Sequence, residues 1–319
     1  MNQNNVIILG SGPAGYTAAI YAARANLKPI IITGNNIGGQ LASAFKVDNW
    51  PGEFEGINGL ELMEKMKKQA EKFGVKIIYD NIKKVNLKNK PFELLGENDN
   101  YKCNALIVAT GVKPKQLGLE SESKYFGRGV SECFTCDGFF YKDKIVGVTG
   151  GGNTAISGAL YLSEIAKKVI LIHRRDVFRT EKIILDKLNE KVSSGKIELK
   201  TFNVVKEILG DEQGVNKIKI ENTQKNKNEM IDVDGIFVLI GHNPNTDIFK
   251  GELELDNQNF IKINGGNLGL YSATNIEGVF AAGDVVEPRY KQAIVAAADG
   301  CRAALDVEEY FLNKSEIKK

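Results

Sequence analysis

The chain has 319 residues, 43% of them hydrophobic and 26% charged, which is the composition of a soluble globular protein with length for two domains. A formal net charge of +2 gives no sign of a nucleic-acid or membrane surface, and no apolar run approaches the roughly 20 residues that span a bilayer. The start of the chain lacks the basic segment of a signal peptide, and four cysteines make a disulfide scaffold unexpected, so the sequence predicts a cytoplasmic protein.

A dinucleotide-binding pattern opens the chain. The apolar run Val6–Leu9 predicts a buried strand, and the small residues of 16–25 predict a helix. The loop between them reads G-x-G-x-x-G, which allows a tight turn and brings a pyrophosphate to the helix N-terminus; the alternative is an ordinary glycine-rich turn. After the next strand, Pro29–Ile32, no acid stands where one would hold a ribose, and Asn36 is the expected replacement.

Further elements are predicted up to residue 113. Gly38-Gly39-Gln40-Leu41 forms a second glycine turn, and Trp50 of Asn49-Trp50-Pro51-Gly52 either packs at a turn or contacts a flavin. Helix 60–73 is expected to bury Met63, Met66, Ala70 and Phe73. Strands are predicted at 75–79, 82–87, 92–95 and 105–108, with a solvated loop at 97–100, and the last strand closes on Ala109-Thr110-Gly111.

Two cysteines stand two residues apart in Cys133-Phe134-Thr135-Cys136, and Asp137 and Gly138 follow. This spacing indicates a small, reducible disulfide or half of a metal site. The other two cysteines, Cys103 and Cys301, lie in apolar surroundings and are predicted to be buried. We therefore interpret the rest of the chain as machinery that carries electrons to the pair.

The dinucleotide pattern then occurs a second time. A strand at 145–148 meets Gly150-Gly151-Gly152-Asn153-Thr154-Ala155, a helix at 155–165 and a strand at 169–172. This strand ends in His173, Arg174 and Arg175, with Arg179 close behind. Guanidinium groups suit a 2′-phosphate, so the site is predicted to prefer NADP to NAD; the alternative is a solvated basic turn.

The remaining elements complete two nested units. A helix is predicted at 181–192 and a meander at 197–209, 218–221 and 230–233. The strand predicted at 235–240 is followed by a glycine, as the strand within 105–111 is. His242 follows in a turn and is interpreted as structural. The strand 279–282 ends in Gly283-Asp284, whose carboxylate is expected to accept a ribityl hydroxyl, and helix 291–311 is expected to point its N-terminus at a flavin.

Taken together, these motifs resemble the low-molecular-weight bacterial thioredoxin reductases over essentially the whole chain. The resemblance implies an α/β fold of two Rossmann-like dinucleotide-binding domains of the three-layer ββα type, the second inserted in the first. It implies a discontinuous FAD-binding domain, 1–113 and 243–319, and an NADPH-binding domain, 114–242, that carries the redox disulfide. It also implies a homodimer, thioredoxin as substrate, and no bound metal.

The resemblance also implies roles for residues. Hydride passes from NADPH to FAD, and electrons pass on to the Cys133–Cys136 disulfide. Cys136 lies nearer the flavin, Cys133 attacks thioredoxin, and Asp137 protonates the leaving thiol. The FAD residues are Gly10, Gly12, Pro13, Ala14, Gly15, Asn36, Gly39, Gln40, Leu41, Asn49, Thr110, Gly111, Gly283, Asp284, Lys291, Gln292 and Ala293. The NADPH residues are Gly150, Gly152, Asn153, Thr154, His173, Arg174, Arg175 and Arg179.

The chain departs from the family pattern at a few positions. The family commonly has a small residue at Phe134, an acid at Asn36, arginine at Lys291, and acidic residues at Ser157 and Gly158. The last change touches the NADPH fingerprint, whereas the retained arginines favour NADPH. Because nicotinamide and disulfide need the same flavin ring, residues 114–242 are expected to rotate between two states, hinged near Val112 and Gly241.

Three alternatives stay open from the sequence. One is a ferredoxin-dependent relative with a vestigial NADPH site. Another is a flavoprotein of the ferredoxin–NADP reductase type, although those relatives lack the C-x-x-C. The third is a nucleotide-sensing binding module whose cysteines hold zinc, but zinc takes four ligands and the chain has no second C-x-x-C or Cys/His pair.

Overall fold

The computed structural model places the chain in two units, Met1–Lys113 with Asn243–Lys319 (the first unit) and Pro114–His242 (the second unit). It describes residues 2–44, 47, 49–263, 269–286 and 290–316, and of these it leaves out the side chains of 2–4, 135, 136, 315 and 316. Among the helices of these ranges, none is long and apolar enough to cross a membrane.

The elements follow one another in the order expected of two α/β units. The first segment contains β1 (Asn2–Leu9), α1 (Pro13–Arg24), β2 (Ile30–Ile32), α2 (Gly59–Lys72), β3 (Lys76–Ile78), β4 (Ile82–Asn86), β5 (Phe92–Gly96), β6 (Asn100–Val108) and β7 (Val112–Pro114). The second unit contains α3 (Glu120–Tyr125), β8 (Val130–Ser131), α4 (Phe134–Asp137), β9 (Ile145–Thr149), α5 (Asn153–Ile165), β10 (Lys168–His173), α6 (Lys182–Ser193), β11 (Ile197–Thr201), β12 (Asn203–Asp211), β13 (Gly214–Asn222), β14 (Lys227–Asp232) and β15 (Gly235–Val238). The chain then continues through β16 (His242–Pro244), β17 (Val279–Ala281) and α7 (Ala293–Glu316).

The first unit is organised around β1. This strand pairs in parallel with β2 on one side and β6 on the other, and β17 adds in parallel to the end of β6. Alternate β1 residues point to opposite faces, as the two-residue period of a strand requires. Val6 and Ile8 pack in the core with residues of α1, α2 and α7, whereas Ile7 and Leu9 pack in a second core with Phe92.

The second unit has three layers. Its central sheet has the order β11-β10-β9-β15-β8, with every pair parallel. Val146 and Val148 of β9 share a core with residues of α5 and α6 on one face, and Ile170 and Ile172 of β10 share another with the antiparallel sheet β12-β13-β14. Helices, parallel sheet and antiparallel sheet therefore give the ββα arrangement.

Three expectations about local structure were wrong. Residues 197–209 are not part of a single meander, because Ile197–Thr201 joins the parallel sheet and Phe202, at φ 57°, turns the chain before β12 begins. Phe73 is 38% exposed rather than buried; it is the residue that ends α2, and the Arg24 guanidinium lies 5.7 Å from its ring centre. Cys301 is half-buried, not fully buried.

Candidate functional site

The first dinucleotide-binding loop, residues 10–15, joins β1 to α1; we call it the first fingerprint loop, and residues 150–155 the second. A larger residue at either of two of its glycines would displace the neighbouring backbone. Gly10 has φ +115°, and an ideal Cβ on it would lie 2.2 Å from the carbonyl oxygen of Ala109. A Cβ on Gly15 would lie 2.0 Å from the carbonyl oxygen of Gly10. At Gly12, by contrast, the nearest atom to such a Cβ would be 4.0 Å away, so the space beside the N-terminus of α1 is open. This is the shape that lets a pyrophosphate approach the backbone closely.

Two further glycines bring α7 and the end of β17 against this loop. A Cβ on Gly300 would lie 2.1 Å from the carbonyl oxygen of Ala14, and a Cβ on Gly283 would lie 2.9 Å from the Ala14 side chain. Ala14 is in the first turn of α1. Gly300 was missed by sequence reasoning; its signal is a glycine within an otherwise alanine-rich helix.

The second glycine turn, Gly38-Gly39-Gln40-Leu41, lies over the fingerprint loop. The buried Ser11 hydroxyl accepts a hydrogen bond from the Gly38 N–H (3.1 Å) and donates to the carbonyl of Thr33 (3.2 Å). A Cβ on Gly39 would come within 3.4 Å of the Cα of Gly12. Ser11, which the sequence analysis did not single out, therefore ties together the loop, the end of β2 and this turn.

Side-chain amides tie this turn and residues 110–112 to their neighbours. Gln40 donates to the carbonyl of Val112 at 2.9 Å. Asn245 donates from Nδ2 to the carbonyl of Thr110 at 2.8 Å and accepts the Thr110 hydroxyl at its own carbonyl at 2.9 Å. The Asn245 N–H also donates to the carbonyl of Gly111 at 3.0 Å. Asn245 is a third residue that sequence reasoning missed, because its partners lie far away in the sequence.

The remaining predicted FAD residues lie in the same unit. Asn49 donates to the side chain of Gln292 at 3.0 Å just before α7, and the Lys291 ammonium lies 5.3 Å from the centre of the Phe260 ring. A Cβ on Gly283 would lie 3.5 Å from Ala296, so the first turn of α7 lies close to Gly283. The others are in place on the same unit: Pro13 and Ala293 begin helices, Leu41 and Asp284 are half-buried, and Asn36 is exposed.

The second fingerprint reproduces the geometry of the first. Gly150 has φ +146°, and a Cβ on it would lie 2.2 Å from the carbonyl oxygen of Leu239, the counterpart of Ala109. A Cβ on Gly152 would meet no atom within 4 Å, so space is open at the start of α5, where Asn153 and Thr154 are exposed. The residues present therefore fit a second dinucleotide.

His173 lies directly beside this loop. A Cβ on Gly151 would lie 2.1 Å from the His173 ring, which stacks on Phe178 with 5.1 Å between ring centres. Its Nε2 lies 3.2 Å from the carbonyl oxygen of Val177. Burial lowers the pKa of His173; the Val177 carbonyl raises it, and the charges of the nearby arginines lower it further. Burial and the basic cluster therefore both favour the uncharged form of the ring.

The three arginines that follow β10 are exposed to solvent and gather at the fingerprint. The charges of Arg174, Arg175 and Arg179 all act on His173. Arg179 is tied directly to the loop, because its N–H donates to the carbonyl of Gly151 at 2.8 Å. Such a cluster beside an open helix N-terminus can bind a phosphate group in addition to the pyrophosphate.

The turn formed by residues 133–137, which we call the redox turn, lies in the second unit. Cys133 is disulfide-bonded, and the side chain of Cys136 lies outside the described residues. The Ser131 hydroxyl accepts the Cys133 N–H at 3.0 Å, and the Asp137 N–H donates to the Cys133 carbonyl at 3.1 Å. Asp137 is half-buried and lines a cavity of about 310 Å³ together with Tyr141. Cys133 and Asp137 are thus four residues apart and are joined by a backbone hydrogen bond that closes the turn.

The other thiols are chemically distinct from this turn. Cys103 is fully buried, and burial raises the pKa of its thiol to about 12, so it stays protonated at neutral pH. Cys103 and Cys301 are both free. Within the described part of the chain, no cluster of three His, Cys, Asp or Glu side chains is placed to hold a metal ion.

Comparisons with known proteins agree with this architecture. A thioredoxin reductase of Vibrio cholerae is 53% identical over 311 residues, 98% of each chain. A protein of Pseudomonas fluorescens named glucosaminate ammonia-lyase is 52% identical, over 98% of this chain and 97% of that one. The crystal structure of the Lactococcus lactis thioredoxin reductase superposes with a TM-score of 0.84 at 31% identity, covering 97% of this chain and 99% of that one.

The family model of the pyridine nucleotide-disulphide oxidoreductases matches residues 4–300, which include both fingerprints and the redox turn. Both dinucleotide loops have an open approach and Cys133 is disulfide-bonded, as this match requires, and the chain belongs to the pyridine nucleotide-disulphide oxidoreductase family.

Proposed function

We propose that the protein is a thioredoxin-disulfide reductase that draws electrons from NADPH through FAD. The observation that carries the proposal is the disulfide-bonded Cys133 on a C-x-x-C turn, in the same unit as a fingerprint with three arginines. A disulfide reductase needs this combination, since it must join nicotinamide chemistry to a reducible sulfur pair. The names of the relatives from Vibrio cholerae and Lactococcus lactis support it.

FAD is assigned to the first unit and NADPH to the second. Both fingerprint loops have an open approach to a helix N-terminus, at Gly12 and at Gly152. The arginine cluster beside Gly152 favours the nucleotide with the additional phosphate. The predicted FAD residues all lie in Met1–Lys113 and Asn243–Lys319, and the predicted NADPH residues all lie in Pro114–His242.

When bound, NADPH supplies a hydride and FAD passes its two electrons to the disulfide. The Cys133–Cys136 bond breaks as it takes two electrons and a proton, leaving one thiol and one thiolate. Cys133 then attacks the thioredoxin disulfide, one sulfur of thioredoxin leaves, and Asp137 supplies its proton. Asp137, now ionised, takes the proton of the Cys136 thiol, and Cys136 attacks the Cys133 sulfur of the mixed disulfide. The second thioredoxin sulfur leaves and takes up that proton, which releases reduced thioredoxin and restores the oxidised pair.

Alternation between the two half-reactions is assigned to rotation of the second unit. The nicotinamide site and the disulfide belong to one unit, and both groups must contact the same flavin ring. They cannot do so at the same time, so the unit has to move between two positions. The chain passes between the units near Val112 and Gly241, and Gly241 has φ +106°, a conformation that favours glycine. A crosslink that locks the units should stop turnover while FAD stays bound; full turnover in the locked protein would contradict the rotation.

A homodimer and a cytoplasmic location complete the proposal. The resemblance to the low-molecular-weight reductases supports the dimer, and light scattering of the purified protein should give twice the 35.0 kDa of one chain. The cytoplasm supplies NADPH and keeps thiols such as Cys103 and Cys301 reduced. A monomer in solution, or activity recovered from an oxidising compartment, would contradict these assignments.

Two other functions are less well supported. A ferredoxin-fed enzyme would have no use for the arginine cluster at the second fingerprint. The lyase named for the Pseudomonas fluorescens relative would have no use for a redox disulfide. Glucosaminate is therefore included as a control substrate in the test below.

The test mixes the purified, oxidised protein with NADPH in the absence of oxygen and follows the flavin absorbance. Rapid bleaching, with NADH far slower, and consumption of NADPH in proportion to oxidised thioredoxin would support the proposal. A yellow protein that NADPH does not bleach but ferredoxin reduces would overturn the NADPH assignment. Ammonia release from glucosaminate without thioredoxin reduction would overturn the reductase.

A further inference from the structure

The ring of Phe134 occupies a space that exists because residue 158 is glycine. Gly158 lies in the second turn of α5 and is buried. A Cβ placed on it would lie 3.0 Å from Cδ1 and 3.2 Å from Cγ of Phe134, and 2.5 Å from Cδ1 of Leu239. A side chain at this position therefore competes first with the flexible end of Leu239 and then with the Phe134 ring.

A second contact ties the residue directly after the redox turn to the same helix. A Cβ on Gly138 would lie 3.0 Å from the ring of Tyr161 and 3.1 Å from Leu162, so the backbone runs against α5 there. Tyr161 also contacts the Phe134 ring, with 5.6 Å between centres and 56° between planes. The segment 134–138 therefore packs on α5 at both of its ends, and Tyr161 takes part in both contacts.

The helix that receives the turn is the fingerprint helix. α5 begins at Asn153, directly after Gly150-Gly151-Gly152. Leu239 links the two places: its carbonyl oxygen abuts Gly150, and its side chain abuts Gly158. The position of the turn relative to the nucleotide loop is therefore set by packing between a few side chains and glycines.

We propose that Phe134 and Gly158 are a matched positioning pair for the redox turn. The ring does no chemistry; it fills the space above Gly158 and so fixes where Cys133 and Asp137 stand on the second unit. This inference rests on the proposed function, in which the turn must meet the flavin in a defined position. Misplacement by about 1 Å can cost about a hundredfold in rate, so the pair should affect kcat more than any KM.

The test is a size-swap cycle. Phe134→Ala empties the space, Gly158→Leu fills it against the ring, and Phe134→Ala/Gly158→Leu puts a side chain back into the vacated space. The control, Phe126→Ala, truncates an aromatic residue of the same unit that is 54% exposed. We expect each single variant to lower kcat for thioredoxin reduction at least about tenfold, and the double variant to recover to within about threefold of the parent. Flavin bleaching by NADPH and the KM for NADPH should change little, and the control should match the parent.

Parental kcat in Phe134→Ala, or a double variant as slow as the product of the two single effects, would overturn the pair. If either large change prevents folding, Phe134→Leu and Gly158→Ala provide the same cycle with smaller steps. If the parent does not reduce thioredoxin, the proposed function fails, and the pair is then tested without it. The rate at which iodoacetamide alkylates the dithiothreitol-reduced redox turn should shift in each single variant and return in the double; no shift would overturn the pair.

Discussion

Gly300→Ala is the change that most directly tests how the first unit is assembled. The added Cβ would lie 2.1 Å from the carbonyl oxygen of Ala14, 2.9 Å from its carbonyl carbon and 3.0 Å from its Cα. All three are backbone atoms, so no side chain can rotate away to make room. Since carbon and oxygen atoms approach to about 3.3 Å, α1 and α7 would have to separate by about 1 Å.

The cost of this separation can be set against the gain from alanine. Overpacking of a buried contact costs about 1–3 kcal/mol, whereas replacing a helical glycine by alanine returns about 1 kcal/mol. The net loss of about 1 kcal/mol corresponds to a fall in Tm of about 2–4 °C for a unit of this size. The larger effect should be on FAD, because Ala14 lies in the first turn of α1, where the pyrophosphate is expected. We expect FAD to bind at least about tenfold more weakly, equivalent to about 1.4 kcal/mol.

The assay is a fluorescence titration of the apoprotein with FAD, combined with calorimetry. Gly158→Ala is the matched control, since Gly158 is also a buried helical glycine, but it lies in the second unit and its Cβ would meet side-chain atoms of Leu239 and Phe134 rather than backbone atoms. It should bind FAD as the parent does. Parental FAD affinity and Tm in Gly300→Ala would refute the close approach of the two helices.

Three further predictions follow from contacts in the two units. Asp80→Ala should lower the free energy of unfolding by about 3 kcal/mol, because the buried Asp80 carboxylate accepts hydrogen bonds from four backbone N–H groups and from Tyr101. Denaturant titrations measure the change, and Asp99→Ala, which removes an exposed carboxylate, is the control. Burial alone would raise the pKa of Asp80, but these hydrogen bonds outweigh burial and lower the pKa. In the parent protein the stabilisation is therefore present above the usual aspartate pKa and is lost as the pH falls through the lowered pKa. An acid-unfolding transition that is unchanged in Asp80→Ala would contradict this. Replacing Arg174 and Arg175 with glutamine should raise the KM for NADPH at least about tenfold and leave NADH use unchanged, and an equal effect on both nucleotides would indicate lost packing instead. Cys133→Ser should abolish thioredoxin reduction while NADPH still bleaches the flavin, and residual turnover near the parental rate would assign the attack elsewhere.

The parts of the site that the sequence predicted are those with local signals. Strand, glycine loop and helix adjoin in the chain, so Gly10 and Gly150 could be placed beside a helix N-terminus from spacing alone. The structure adds that each abuts a carbonyl oxygen, of Ala109 and of Leu239, at the same 2.2 Å. The two nested units could be recognised because Ala109 and Leu239 each follow an apolar strand, and each is followed two residues later by a glycine, Gly111 or Gly241.

Contacts between distant segments were beyond reach. Asn245 binds Thr110 across 135 residues, and Gly300 abuts Ala14 across most of the chain, so neither has a periodic or local signal. The loop at 97–100 was predicted correctly as solvated, yet nothing in its composition indicated that its backbone N–H groups donate hydrogen bonds to the buried Asp80 carboxylate. The parallel pairing of residues 197–201 was also missed, because Ile-Glu-Leu-Lys-Thr alternates apolar and polar residues, a pattern typical of a half-buried antiparallel strand.

The glycines of the two units differ in what an added side chain would meet. Gly10, Gly15 and Gly150 abut backbone atoms, which cannot move without displacing a strand or helix. Phe134 and Gly158 instead meet side-chain atoms, so a large residue at one can be matched by a small residue at the other. A larger residue at position 158 would leave the Phe134 ring less space. A change at either position can therefore be accommodated by side chains, whereas a side chain at Gly150 would displace the backbone of the nucleotide loop.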